Sequence, residues 1–455
     1  MINNQDFFEK MKELQSFDSV AYCKSFNVSP KKSIRINNIK VNGGKVNLPF
    51  SVTQNKVNPD LYYVDNEEKV GNTIEHHCGM FYVQEPAASM PAFSIKDKLT
   101  GKVVLDLCAS PGGKTTQLAE YVGPTGLVIS NEVVSKRVNI LRGNVERLGL
   151  TNVVITNNNA EQIARALANA VDVVVVDAPC SGEGMFRKDP DTVQEWSLEN
   201  VYACAKRQLF LLQNVDNVLK NDGILVYSTC TFNKNENEMV IQQFLNEHPN
   251  YYILDVDSSI KTVSKNGESN KQNNRLHLER CRRFYPQDGF GEGQFFCVLQ
   301  KHDKNTSNIK YNAKNKQTFL TSKEFILVKK FLDENFILSD YLLTKVGGQF
   351  FILPKVSICM DGLNVVINGV CVGEIVKDRF EPHHHLYMAY GKLARNKLDI
   401  TNYEDAKRYI AGGQIVANIN DGYCAVLYNG VTIGFGKCNH GVINNHYPKG
   451  LRKIL

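Results

Sequence analysis

Residues 103–114 read VVLDLCASPGGK: a β-branched run, an acid and a cysteine at its end, and a Pro-Gly-Gly turn entering the helical pattern TTQLAEYV. Glycines in such a turn let the backbone approach a ligand closely, where a Cβ would block the approach or force strain. The spacing is neither GxGxxG nor GxxxxGK[ST], so the dinucleotide and P-loop fingerprints both fail. Beyond the turn the alternation continues with LVISNE, a helix from Ser135 to Leu148, NVVITN, and VDVVVVD at 171–177. A long helical pattern from about Leu198 to Leu219 and ILVYSTC at 224–230 complete it. Short β-branched strands separated by amphipathic helices predict βαβ units and a parallel sheet covered on both faces. The expected fold is a doubly wound, Rossmann-like α/β domain.

That domain is expected to occupy residues 76–302. Residues 1–75 combine a helical pattern from Asp6 to Leu14 with the strand-like stretch SIRINNIKV at 33–41, and read as a small α/β module. Residues 255–279 are polar and predict a solvent loop. RFYPQDGFGEGQFFCVLQK at 283–301 predicts a glycine-rich turn feeding a last strand. Residues 303–380 read as a polar linker and a small mixed unit, and residues 381–455 as a β-rich unit with a hairpin turn at Asn429–Gly430.

At 455 residues, with 43% hydrophobic and 22% charged, the chain has ordinary globular composition, which excludes disordered and collagen-like classes. Its apolar runs fall short of the ~18 residues of a membrane span. The amino terminus MINNQDFFEKMKEL lacks the pattern of a secretory signal, so a cytoplasmic location is expected. Charge is uneven: residues 1–302 carry 33 basic and 34 acidic side chains, residues 303–455 carry 20 and 13. A neutral body with a basic appendage suits an enzyme that presents a nucleic acid to its active site. None of the 12 cysteines forms a CxxC pair, which argues against a zinc ribbon.

Ligands of open parallel sheets bind beyond the carboxyl ends of the strands. The second strand ends in Glu132, a carboxylate suited to ribose hydroxyls. The third ends in Asn157, Asn158 and Asn159, amides suited to an adenine edge. Together with the glycine turn they predict a nucleoside ligand without a phosphate clamp, and S-adenosylmethionine fits. The fourth strand ends DAPCSGEG (177–184) and the fifth YSTC (227–230), putting Cys180 and Cys230 beside one cleft. Methylating carbon 5 of a cytosine needs a thiolate added to carbon 6, and a second group can assist its release. Asp177 is placed to hydrogen-bond or protonate the pyrimidine edge. Two structural thiols, a disulfide or a metal site are the competing readings. The reducing compartment disfavours the disulfide, and the lack of a nearby His or third Cys disfavours the metal.

VLDLCASPGGKT, the SNE at 130–132, DAPCSGEGMFRKDPD and VYSTCTFNKNENE strongly resemble the NOL1/NOP2/Sun family of RNA cytosine carbon-5 methyltransferases. HHCGMFYVQEPAASM at 76–90 looks like the lead-in to that family's catalytic domain. GFGKCNHGVINNHYPKGLR at 434–452 is similar to the tail of its bacterial RsmF-type members, which methylate 16S ribosomal RNA. The resemblance implies that Cys230 is the nucleophile and that Cys180 assists product release. It assigns the cofactor loop to Cys108, Ala109, Ser110, Pro111, Gly112, Gly113 and Lys114, and the ribose carboxylate to Glu132. Asp177 falls at the junction of cofactor and base, and Asn159 stands where the family commonly has Asp. The implied partner is 16S rRNA or the 30S particle, gripped in part by a PUA-like domain over 381–455. No metal and no obligate protein partner is expected. Transfer RNA is the competing substrate, and a non-catalytic ribosome assembly factor the competing class.

Other features read as follows. His383–His385 predict a solvated loop rather than a metal site. Arg280, Arg282 and Arg283 beside Phe284 and Tyr285 predict either an RNA grip or a solvated basic face. Trp196 predicts packing.

Overall fold

The computed structural model describes residues 5–41, 47–269, 275–302 and 323–454. Near the amino terminus, β1 (Lys32–Ile36), β2 (Val52–Gln54), β3 (Leu61–Val64) and β4 (Phe81–Val83) form an antiparallel sheet in the order β2-β3-β1-β4. This sheet runs past the boundary expected at residue 75, because β4 pairs with β1 through Ile34 and Val83. SIRINNIKV is a strand only to Ile36, and Asn38–Val41 turns into a short helix.

The central sheet has β5 (Val103–Asp106), β6 (Leu127–Asn131), β7 (Val153–Thr156), β8 (Val171–Asp177) and β9 (Leu219–Thr229) in parallel, ordered β9-β8-β5-β6-β7. Both faces are covered, as the unbroken apolar runs require. Val104, Val128, Val173 and Val175 enter one core, while Leu105, Ile129, Val174 and Val176 enter the other. Because β6 and β8 flank β5 on opposite sides, a crevice opens at the carboxyl end of β5, the topological switch point of such sheets.

On the β9 side, β10 (Tyr251–Ile253), β11 (Lys265–Asn266), β12 (Arg282–Phe284) and β13 (Gln294–Lys301) extend the sheet antiparallel, β13 lying directly on β9. The expected loop 255–279 thus contains a short helix, Ser258–Lys261, and a sheet strand; residues 270–274 lie outside the described residues.

The carboxyl-terminal third adds β14 (Leu343–Val346), β15 (Gln349–Ile352), β16 (Val365–Asn368), β17 (Val370–Val376) and β18 (Arg379–Pro382). Then follow β19 (Lys397–Ile400), β20 (Ile415–Val416), β21 (Gly422–Tyr428), β22 (Val431–Asn439) and β23 (Val442–Asn445). Most of the linker expected after residue 302 lies outside the described residues. β16, from the segment read as a separate small unit, instead pairs with β7 and completes the central sheet. The Asn429–Gly430 turn joins β21 to β22 with φ of 47° and 76°, the positive pair a tight hairpin needs.

The basic tail is not a detachable appendage. Ile34, Ile74, Cys78 and Phe81 of the amino-terminal region share one core with Tyr409, Val426, Ile433 and Tyr447 of the tail. His77 Nδ1 lies 2.7 Å from the Tyr447 hydroxyl, and buried Lys40 donates to the carbonyls of Cys78 (2.9 Å) and Thr432 (3.3 Å). The histidine run also differs from expectation. His384 and His385 are buried in the first turn of the helix His384–Tyr390, and His385 lies between the Cys371 N–H (3.3 Å) and the Leu150 carbonyl (3.2 Å). Burial holds both imidazoles neutral by pushing their pKa values down. Among the described residues no group of His, Cys, Asp and Glu could hold a metal ion, and no helix is long and apolar enough to cross a membrane.

Candidate active site

At the switch point the chain leaves β5 at Asp106 and enters the helix Gly113–Val122 through Cys108–Gly112. Gly112 has φ of 110°, and a Cβ there would stand 3.1 Å from Leu141 Cδ1, so both backbone and packing select glycine. The turn is tied down by Arg137, which donates to the Ser110 carbonyl at 2.6 Å, and by Asn144, which donates to the Pro111 carbonyl at 2.9 Å.

A cavity of about 210 Å³ opens over this turn, lined by Tyr82, Glu85, Asp106, Cys108, Ala109, Ser110, Pro111, Gly113, Lys114 and Asp177. Lys114 Nζ meets Asp177 Oδ2 at 2.7 Å, and Ser228 Oγ donates to Asp177 Oδ1 at 2.7 Å. Asp106 is fully buried, with Oδ2 accepting from Thr115 at 2.7 Å and Oδ1 left without a partner. Burial pushes its carboxyl up to about 7, against the opposing Thr115 hydrogen bond. Glu85, Asp106 and Asp177 stand around one lysine in this cavity.

Gly112, Glu132 and Asn159 do not line this cavity. Glu132 is buried at the end of β6, where Oε1 accepts from the Val134 N–H at 2.9 Å and Oε2 lies 3.5 Å from Arg137. Asn159 is exposed and caps the helix Ala160–Ala166 in a capping box with Gln162. Asn157 and Asn158 are likewise engaged: Asn157 donates to the Glu132 carbonyl at 2.6 Å, and Asn158 accepts from the Asn364 N–H at 3.1 Å.

Next to the cavity, the loops after β8 and β9 bring Cys180 Sγ within 3.3 Å of Cys230 Sγ. The loops are stitched together. Ser181 and Thr231 share a hydrogen bond of 2.8 Å, and the Gly184 N–H donates to the Cys230 carbonyl at 2.9 Å. Glu183 accepts from the backbone of Phe232 (2.6 Å) and Asn233 (2.9 Å) and from the Trp196 indole (3.0 Å), so Trp196 is packing, as expected. Beneath them Phe7 of the helix Gln5–Met11, Tyr22 of the helix Ser19–Ser25 and Phe17 between the two pack on Phe186, Trp196, Phe232 and Tyr285.

Neither reading of the arginine cluster holds for Arg282 and Arg283, which are buried. Arg283 pairs with Glu238, and Arg282 donates to Ser264 Oγ (2.9 Å) and to the Ser264 carbonyl (2.7 Å). Sequence reasoning also passed over Asp106, although the acid stands in LDL at a strand end, and Glu183 and Glu236, which flank the two cysteines in the motifs quoted above.

Four family profiles match the chain in order: the N-terminal domain of 16S rRNA methyltransferase RsmF over 4–86 and 16S rRNA methyltransferase RsmB/F over 95–300, then the RsmF first C-terminal domain over 329–390 and the RsmF PUA domain over 395–453. Ribosomal RNA small subunit methyltransferase F of Aeromonas salmonicida is 30% identical over 402 residues, covering 86% of this chain and 83% of that protein. The chain belongs to the RsmF family of 16S rRNA methyltransferases. The RsmF protein of Vibrio vulnificus is 29% identical over 476 residues, 98% of this chain and 97% of its own. Among solved structures, a methyltransferase homolog from Pyrococcus horikoshii is 25% identical, with a TM-score of 0.56, over 66% of this RsmF-family chain and 96% of that one. NSun6 from the same organism, 18% identical with a TM-score of 0.55 over 66% and 98%, shares the fold. The RsmF profile boundaries group β4 with the amino-terminal domain, as the sheet pairing does.

Proposed function

We propose that this chain methylates carbon 5 of a cytosine in 16S ribosomal RNA, using S-adenosylmethionine and a covalent bond from Cys230 to carbon 6. The observation that carries the reading is the pair of thiols 3.3 Å apart beside the Lys114–Asp177 ion pair. When bound, S-adenosylmethionine supplies a methyl group activated by a sulfonium. The cavity suits it: Asp106 offers an unpartnered buried oxygen, and no cluster of cations is present there to clamp a phosphate. Cys108–Pro111, Gly113, Lys114, Asp106 and Asp177 would hold it, with Glu132 behind them shaping the wall.

Cys230 adds as thiolate, forming the sulfur–carbon 6 bond and making carbon 5 enamine-like. Asp177, held by Lys114 and Ser228, hydrogen-bonds or protonates the pyrimidine edge, where the charge of the addition develops, and fixes the ring over the thiols. After methylation, the carbon 5 proton leaves to a base and the carbon 6–sulfur bond breaks, with Cys180 assisting this elimination. The amino-terminal sheet and the PUA-like tail, fused through one core, would present RNA as a unit. Within this proposal the domains are 1–75 with β4 added, 76–302 less β4 and with β16 added, the rest of 303–380, and 381–455.

Incubation with methyl-labelled cofactor and, in parallel, rRNA, 30S particles and transfer RNA tests the reading. Label recovered as 5-methylcytosine is expected. Label on another base, or none, refutes it, and label confined to transfer RNA moves the substrate.

A further inference from the structure

A buried polar clasp joins the two thiol loops. Glu236 is fully buried: Oε2 accepts from the Ser181 N–H at 3.0 Å and from Gln208 Nε2 at 2.8 Å, and Oε1 accepts from Asn233 Nδ2 at 2.8 Å. The same Asn233 amide reaches Glu183 Oε1 at 2.9 Å. All these donors are uncharged. The titratable groups around Glu236 are Glu183 across the shared amide, Cys180 one residue before Ser181, Cys204 on the helix Leu198–Asp216, and Tyr227, whose hydroxyl donates to the Glu236 carbonyl at 2.6 Å.

We infer that Glu236 is a positioning residue that disfavours a thiolate on Cys180 and so helps leave the attack to Cys230. Its consequence for catalysis rests on the cytosine reading above, but the ionisation itself needs no RNA. The carboxyl grips the N–H next to Cys180, so once it ionises, above about pH 7, a negative charge stands beside that thiol in a low-dielectric loop and a second negative charge on Cys180 is repelled. A neutral Cys180 can donate its S–H to Cys230 across the 3.3 Å gap. The hydrogen bond with Cys230, burial, and the charges of Cys230 and Glu236 all push the Cys180 thiol up. Burial with the adjacent Glu183 pushes the Glu236 carboxyl up to about 7.

The test is alkylation of the full-length protein by iodoacetamide from about pH 6 to about pH 10, with both peptides followed by mass spectrometry. In the wild type, Cys230 is expected to react ahead of Cys180. Glu236→Gln keeps the shape and removes the charge, and should raise the Cys180 rate about three- to tenfold above about pH 7, moving its profile to lower pH. Gln208→Met, which weakens the ionised form of Glu236, should move it the same way by less. Cys180 reacting first in the wild type overturns the inference whether or not either variant folds. So does an unchanged Cys180 profile in a folded variant, or an equal rise at both thiols, which would mark a clasp that only holds the loops. Failure of the methylation reading would appear separately, as absent 5-methylcytosine with the thiol order intact.

Discussion

Lys114 Nζ and Asp177 Oδ2 meet at 2.7 Å across the switch point, tying the helix after β5 to the end of β8. The lysine is buried, while Asp177 still faces the cavity, so the pair presents an oriented acceptor rather than a screened surface charge. Lys114→Met should slow methyl transfer by roughly 100-fold or more with RNA affinity unchanged. Single-turnover rates beside an RNA-binding curve check this; a wild-type rate would remove Asp177 from the chemistry.

Asp106 binds its proton more tightly in the folded protein, at about 7, than the ordinary value of 3.8, chiefly because of burial. The stability it contributes is therefore full at acid pH and lost as the pH rises toward and through about 7. Asp106→Asn removes that loss, so the melting temperature of the variant relative to wild type should rise between about pH 5 and about pH 8. An offset independent of pH would contradict the buried, titrating carboxyl.

Gly184 lies where the two thiol loops cross the glycine-rich segment before β13. A Cβ on it would stand 2.7 Å from Gly293 Cα and 2.9 Å from the Cys230 carbonyl, all backbone. Gly184→Ala should cost about 1–3 kcal/mol and abolish methyl transfer by parting the loops. A melt with a single-turnover assay reads both effects, and a fully active variant would show that the loops have slack.

Ile433 of β22 is fully buried in the core that the tail shares with β1. Ile433→Ala should cost about 2–5 kcal/mol and raise hydrogen exchange in residues 32–36 as well as in the tail. Exchange confined to the tail would mean that the two units are not cooperative. By the same argument, deleting residues 381–454 should leave the amino-terminal sheet exposed and unstable rather than yield a clean RNA-binding mutant.

The parallel strands were legible because burial on both faces selects unbroken β-branched runs such as VDVVVVD, and the thiols because they stand at strand ends, where ligands bind. β16 was not legible: nothing in VVIN says that it pairs with β7, more than 200 residues earlier. Arg283 read as surface because its partner Glu238 is 45 residues away, and the histidines read as solvated because the groups that bury them include Leu150, 235 residues from His385. Asn159 has helix-capping chemistry as well as adenine-reading chemistry, and the local sequence Asn-x-x-Gln favours the first. Asp106 and Glu236 differ from surface acids only in burial, which sequence patterns convey poorly for single charged residues.

The most direct measurement is denaturing electrophoresis of Cys180→Ala and Cys230→Ala after incubation with S-adenosylmethionine and substrate RNA. Cys180→Ala should accumulate a protein–RNA adduct, because addition survives and release fails, while Cys230→Ala should form none and transfer no methyl group. An adduct trapped by Cys230→Ala and absent from Cys180→Ala would contradict the assignment of the nucleophile.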